Sequence, residues 1–317
     1  MKKNKNNNLY ILGILVAIII LIFVIIFLIN PFKKTNNNGT NNDINNNNNN
    51  DNDNNEVVEK EPVPTELELK LRELNNIDKE LDFFNVDYID RYINYKNNNP
   101  NLDLEKVIVY VNIGLDKTNF TDSQSSPYKY TNKVLANKLN FLGDDYVPKN
   151  LQEIDSKYAN SSGKYLEKEA KDAFEELAKD AKKEGYRIIA TSTYRSYNYQ
   201  KNLYNNYANQ DGVEKADTYS ARAGYSEHQT GYAIDVSNEK TSYTKFGDTK
   251  EFSWMKENAY KYGFILRYTK ENEFITGYMN EPWHYRYVGK EIAKYIQEHP
   301  MTYEEYYIRF LENKKNN

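Results

Sequence analysis

The chain reads as an α+β body with a small antiparallel sheet flanked by helices, preceded by a membrane-spanning helix and a disordered tether. Three observations predict this. Leu9 to Ile29 is a continuous apolar run in which only Gly13 and Ala17 are small. Thr35 to Asn55 is almost entirely Asn, Asp and Gly. Beyond that stretch, helix-like and strand-like patterns interleave. The strands are too few and too short for a large parallel sheet.

Residues 1–8 carry Lys2, Lys3 and Lys5, which assigns them to the cytoplasmic side. Residues 9–29 match the ~20 apolar residues that cross a bilayer as a helix. A cleaved signal peptide is the competing reading, but the run exceeds an ordinary h-region and no A-x-A-like site follows it. Residues 30–64 form the linker, which has too little apolar surface to bury. From Asn30 to Asn55 a flexible coil would span ~25–30 Å root-mean-square. Residues 65–120 form a helical accessory region, led by Leu67, Leu71, Leu74 and Ile77. Within it, Val107 to Val111 fits either a strand or the inner face of a helix.

Residues 121–317 form the body. Tyr165 to Glu184 predicts an amphipathic helix with Leu166, Ala170, Ala173, Phe174, Leu177 and Ala181 on one stripe, stopped at Gly185. Arg187 to Thr193 predicts a strand, and Tyr197 to Tyr207 a helix. Tyr232 to Ser237 alternates like a strand. Glu251 to Tyr262 predicts a helix. Phe264 to Tyr268 and Trp283 to Val288 predict strands. Helices over Lys290 to Glu298 and Tyr303 to Leu311 complete the chain.

Composition narrows the function. Charged residues make up 28% with a net charge of −4, and no basic stripe appears, so nucleic acid is not the expected partner. The absence of cysteine removes disulfides, thiolate metal ligands and a Cys nucleophile. Thirty tyrosines fill core and surface, with groove lining as the alternative.

The chain has three histidines, and two lie in short polar segments rich in carboxylates. These are Ser226-Glu227-His228-Gln229-Thr230-Gly231-Tyr232-Ala233-Ile234-Asp235 and Glu281-Pro282-Trp283-His284. A catalytic zinc takes three protein ligands and keeps one position open. Thr230-Gly231 supplies a turn that lets His228 in a loop face Asp235 in a strand. Ala233 and Asp235 share a face, and the small Ala233 leaves room beside it. His284 arrives from another strand as the third ligand. Glu281 is then free as the base, and Pro282 stiffens the backbone between them. The alternative is a pair of hydrogen-bonded core histidines, which is also the reading for His299. Zinc suits the donor set best, with other divalent ions as competitors.

These segments resemble the VanY-type D-alanyl-D-alanine carboxypeptidase family, whose pattern is S-x-H-x-x-G-x-A-x-D followed by E-x-W-H. Tyr194-Arg195-Ser196, with Gln200 beyond, resembles the family's upstream segment. The resemblance spans a core of residues 165–289. Thr193 stands where glycine is common and Ala223 where proline is common. The resemblance implies one zinc ion per chain on His228, Asp235 and His284, with Glu281 as base. It implies that Arg195 grips the substrate at the scissile carbonyl or the terminal carboxylate. Gln200 and Ser226 would be further peptide contacts, and Trp283 a pocket wall or a core residue. The implied substrate is the peptidoglycan stem peptide, trimmed of its C-terminal D-alanine by a metal-activated water. L,D-cleavage, endopeptidase action and a silent wall-binding module are the alternatives. With the apolar run, this implies a single-pass membrane protein of a Gram-positive bacterium with its catalytic domain outside the cell.

Overall fold

A computed structural model describes residues 81–312. The expected anchor at residues 9–29, the linker at 30–64 and the start of the accessory region lie outside the described residues. Among the described residues, no helix is long and apolar enough to cross a membrane.

Two helices open the described chain. Helix α1 is Ile89–Asn98 and α2 is Leu104–Ile113. Asp103 caps α2 by accepting from the Lys106 amide at 2.8 Å, and Gly114 ends it in the left-handed conformation. The β-branched run that fitted either element is thus helical. Val107, Ile108, Val109 and Val111 are buried in it. They share one apolar core with Tyr303, Tyr307 and Ile308 near the C-terminus.

The segment 121–164 shows no strong periodicity in sequence and builds small pieces. Strands β1 (Gln124–Ser125) and β2 (Asn140–Phe141) pair in parallel. Strands β3 (Leu151–Glu153) and β4 (Tyr165–Glu167) form an antiparallel ladder. Here the sequence expectation needs correction. Tyr165 to Glu167 is strand, and the helix α3 begins at Lys168 and ends at Lys183. Leu166 fits the helical stripe by spacing, but Leu166 pairs with Gln152 across β3–β4. Tertiary pairing overrides the local pattern. The remaining stripe residues, from Ala170 to Ala181, are buried as expected.

The central sheet has four antiparallel strands in the order β5-β6-β8-β7. They are β5 (Ile189–Ser192), β6 (Ala233–Ser237), β7 (Phe264–Leu266) and β8 (His284–Tyr287). Alternation sends Ile234, Val236, Tyr285 and Phe264 into a core shared with Phe174 and Leu177 of α3. The opposite face carries Asp235, His284 and Arg286. Between β5 and β6 lie α4 (Tyr197–Asp211), which runs four residues past its expected end at Tyr207, and α5 (Val213–Tyr219), which no sequence pattern marked. Helices α6 (Lys250–Asn258) and α7 (Glu273–Thr276) flank β7 in sequence. Helices α8 (Lys290–Glu298) and α9 (Tyr303–Phe310) close the fold.

Candidate metal centre

The register of the central sheet creates the site. Asp235 on β6 pairs directly with His284 on β8. Directly opposed side chains on one face have Cβ atoms ~4.5–5.5 Å apart. His228 approaches from a 3₁₀ turn over Glu227–Thr230, where its own amide donates to Ser226 Oγ at 3.3 Å. Gly231 ends that turn at φ 77° and redirects the chain into β6. A Cβ at Gly231 would lie 3.1 Å from Leu151 and 3.2 Å from both Pro148 and Glu167.

Three donor atoms converge. His228 Nε2 is 3.3 Å, and His284 Nδ1 3.1 Å, from Asp235 Oδ1. One donor atom from each residue falls within 4.8 Å of the others. Asp235 Oδ1 is buried and accepts no well-aligned hydrogen bond. Tetrahedral metal–ligand bonds of ~2.0–2.1 Å set donors ~3.3 Å apart, and the two separations from Asp235 Oδ1 match that value.

Each imidazole has an outer partner that turns its other nitrogen toward the site. His228 Nδ1 lies 2.8 Å from the Thr193 carbonyl, which can only accept, so Nδ1 carries the proton and Nε2 faces the site. His284 is arranged the other way round. Its Nε2 lies 3.2 Å from Glu227 Oε2, leaving Nδ1 toward Asp235. Such outer contacts orient metal-bound histidines.

Electrostatics fit the same picture. Burial disfavours the Asp235 carboxylate, but His228, His284 and Arg195 outweigh it and hold its pKa well below the usual range. Burial, then Arg195, pushes His228 down to about 4. Burial also opposes charge on His284, but Asp235 and Glu227 raise it to about 9. The two rings shift in opposite directions because His284 faces two carboxylates while His228 sits near a guanidinium.

Glu281 is 9% exposed, and its Oε2 lies 3.7 Å from His284 Nδ1. Burial pushes it up to about 7. Arg195 Nη2 donates to Asp235 Oδ2 at 2.8 Å, leaving Oδ1 toward the imidazoles. Ser192 Oγ braces the same guanidinium at 3.0 and 2.8 Å. A bulge in the β5–β6 ladder makes this possible: Ala190 pairs with Val236, yet Ser192 pairs with Asp235. Ser192 therefore turns to the site face.

The other expected contacts sort differently. Gln200 is buried and donates to the Ala221 carbonyl at 2.7 Å, and its oxygen meets Arg195 Nη1 only at 3.5 Å. Ser226 is buried as the cap of the His228 turn. Trp283 is both wall and packing: it lines the cleft, stands edge-on to Tyr243 at 5.2 Å, and leans on the core. The cleft encloses about 860 Å³. His299 is exposed and stacks on Tyr295 at 4.3 Å, away from the site. Sequence reasoning missed Ser192, Glu227, Arg267 and Arg286. The room expected beside Ala233 adjoins Arg286, its cross-strand partner.

The D-alanyl-D-alanine carboxypeptidase (VanY) family model matches residues 163–290, which contain every one of these site residues. The solved structure of LdcB, described as an LD-carboxypeptidase, is 39% identical. It covers 60% of this chain and 98% of that one, with a TM-score of 0.54. This chain belongs to the VanY-type carboxypeptidase family. Over 180 residues it is 44% identical to the YodJ protein of Bacillus subtilis (strain 168), named as a carboxypeptidase, covering 55% of this chain and 66% of that protein. Over 152 residues it is 39% identical to a D-alanyl-D-alanine carboxypeptidase of Enterococcus faecium, covering 48% and 46% of the two chains. The chain thus spans about half to two thirds of these curated relatives.

Proposed function

We propose that this chain is a zinc-dependent carboxypeptidase that removes the C-terminal D-alanine from peptidoglycan stem peptides. The observation that carries the reading is the convergence of His228 Nε2, Asp235 Oδ1 and His284 Nδ1, with Glu281 beside them. A zinc ion held there acidifies water and polarises a carbonyl oxygen.

This chain's own residues supply the rest. Glu281 stands where it can take the proton of the attacking water and return it to the leaving amine. Arg195 sits at the rim of the ligand triangle with 20% of its side chain exposed. A guanidinium there can grip a free carboxylate or a developing oxyanion. Trp283 and Tyr243 form an aromatic wall against which a short peptide can lie.

D,D-cleavage of a pentapeptide stem is the first reading, and the family description supports it. A second reading, L,D-cleavage of a tetrapeptide stem, is favoured by the likeness to LdcB. Product masses from the two stems separate them. Loss of one alanine from the pentapeptide alone supports the first, and from the tetrapeptide alone the second. No loss from either removes the proposal. Glu281→Ala tells an enzyme from a binding module, because only an enzyme loses turnover by it.

We read the protein as anchored with its body outside the cell. The support is the apolar run Leu9 to Ile29 with lysines on both sides. Release of the full chain from membranes by alkaline carbonate, without detergent, would overturn that reading.

A further inference from the structure

Behind the metal centre lies a buried ionic ladder. Glu227 and Arg267 have fully buried side chains, as does Arg286. Both guanidinium groups converge on a single oxygen. Arg267 Nε donates to Glu227 Oε1 at 2.8 Å, and Arg286 Nη1 donates to it at 3.2 Å. The other oxygen, Oε2, is thereby left for His284 Nε2. The remaining nitrogens of Arg286 are committed to backbone: Nε to Tyr287, and Nη2 to Asn132 and Val134.

Among the described residues, Arg267 has no such backbone partners. Its Nη1 and Nη2 form a fork on Glu304, at 2.9 and 2.6 Å. Glu304 lies on α9, beyond the last residue matched by the family model. It is 2% exposed, and Asn137 Nδ2 donates to its Oε1 at 3.0 Å. Two buried arginines are thus balanced by two buried glutamates. Removing either carboxylate leaves two buried guanidinium groups to share one carboxylate.

We infer that Glu304 is a positioning residue of the metal centre, acting through Arg267 and Glu227 on the imidazole of His284. The C-terminal helix then belongs to the site through this chain of contacts. Glu304 holds the Arg267 fork, and the fork leaves only Nε to address Glu227. That fixes which carboxylate oxygen remains for His284. The contact between Nε2 and Oε2 in turn keeps Nδ1 facing the point it shares with Asp235 Oδ1 and His228 Nε2. Glu227 sits on the far side of the ring, so it orients a ligand and is not itself one.

This inference rests on the zinc reading above, and its test is chosen to fail separately. The full-length chain, purified in detergent, is compared with Glu227→Gln, Glu304→Gln and the double variant. Zinc affinity is measured by competition with a chromogenic chelator, with no peptide present. Glu227→Gln is expected to weaken zinc binding 10- to 100-fold, in line with outer-shell substitutions generally. Glu304→Gln is expected to weaken it several-fold. The double variant should match Glu227→Gln alone, because Glu304 acts only through Glu227. Wild-type affinity in Glu304→Gln, or additive losses in the double variant, would overturn the inference.

A second measurement needs no variant. Long-range ¹⁵N–¹H spectra of histidine-labelled, zinc-loaded protein contain three imidazoles. His284 should carry its proton on Nε2 and His228 on Nδ1. A His284 ring protonated on Nδ1 would sink the idea even if every variant failed to fold. Because both readouts are metal affinity and ring tautomer, loss of the peptidase assignment would leave them interpretable.

Discussion

Asp235 and His284 are cross-strand partners, so the sheet register itself sets the two ligands side by side. A slip of one residue would send both to the apolar face that packs on α3. The metal centre therefore inherits the rigidity of a central strand pair. His228 does not, because it reaches the site from a short turn. This asymmetry predicts unequal effects. Asp235→Ala should abolish zinc binding, with metal content falling to below about a tenth of the wild-type value by elemental analysis. His228→Ala should keep weak, exchangeable zinc, since two of three ligands stay fixed. Equal retention in both variants would contradict this.

Glu281 is expected to separate chemistry from metal binding. Glu281→Gln should retain zinc and lower kcat about 10²- to 10⁴-fold, the range of a lost general base. The pH profile follows from sign. Burial raises this carboxyl to about 7 in the metal-free protein, and a bound cation would pull it down again. A base works only when ionised, so kcat/KM should rise with pH along a limb centred below 7. That limb should vanish in Glu281→Gln. A limb centred well above 7 would assign it to another group.

How much of this was legible is uneven, and the reason is range. His228, Asp235, Glu281 and His284 sit in two short segments, and each segment places its pair by local geometry: a Gly-ended turn, a Pro-stiffened corner, a strand. Arg267 and Glu304 meet across 37 residues, and Arg286 and Glu227 across 59. No periodicity links such positions, so an arginine in a strand reads like any solvent-facing charge. Glu227 was in view throughout, between Ser226 and His228. Its role depends on where β8 lands, which the local pattern cannot say. The same limit explains Tyr165 to Glu167: a three-residue strand has no period of its own, and its partner lies in an unpatterned stretch.

Gly231 should tolerate no side chain. Its φ of 77° is costly for an L-residue, by about 1–2 kcal/mol. A Cβ would also press on Leu151, Pro148 and Glu167, which belong to or flank the β3–β4 ladder. Gly231→Ala should therefore lower unfolding free energy by about 1–3 kcal/mol, measured by denaturant titration of metal-free protein. Unchanged stability would mean the turn can relax, and with it the fixed approach of His228.

Arg195 makes the most discriminating prediction about substrate. Its Nη2 and Nε are taken by Asp235 and Ser192, while Nη1 has only a long contact to Gln200. One edge of the guanidinium thus remains for a ligand anion. If that anion is the terminal carboxylate, amidating the peptide's C-terminus should cost the wild-type enzyme about 10- to 100-fold in kcat/KM, the worth of a charge-assisted hydrogen bond. Arg195→Ala should be slow on both peptides and should no longer distinguish them. Arg195→Lys should recover little, because a lysine cannot brace on Ser192 and reach the ligand from one planar fork. If the alanine variant still discriminates against the amide, the carboxylate is held elsewhere. Arg195 would then act at the scissile carbonyl, where its loss would lower kcat for both peptides alike.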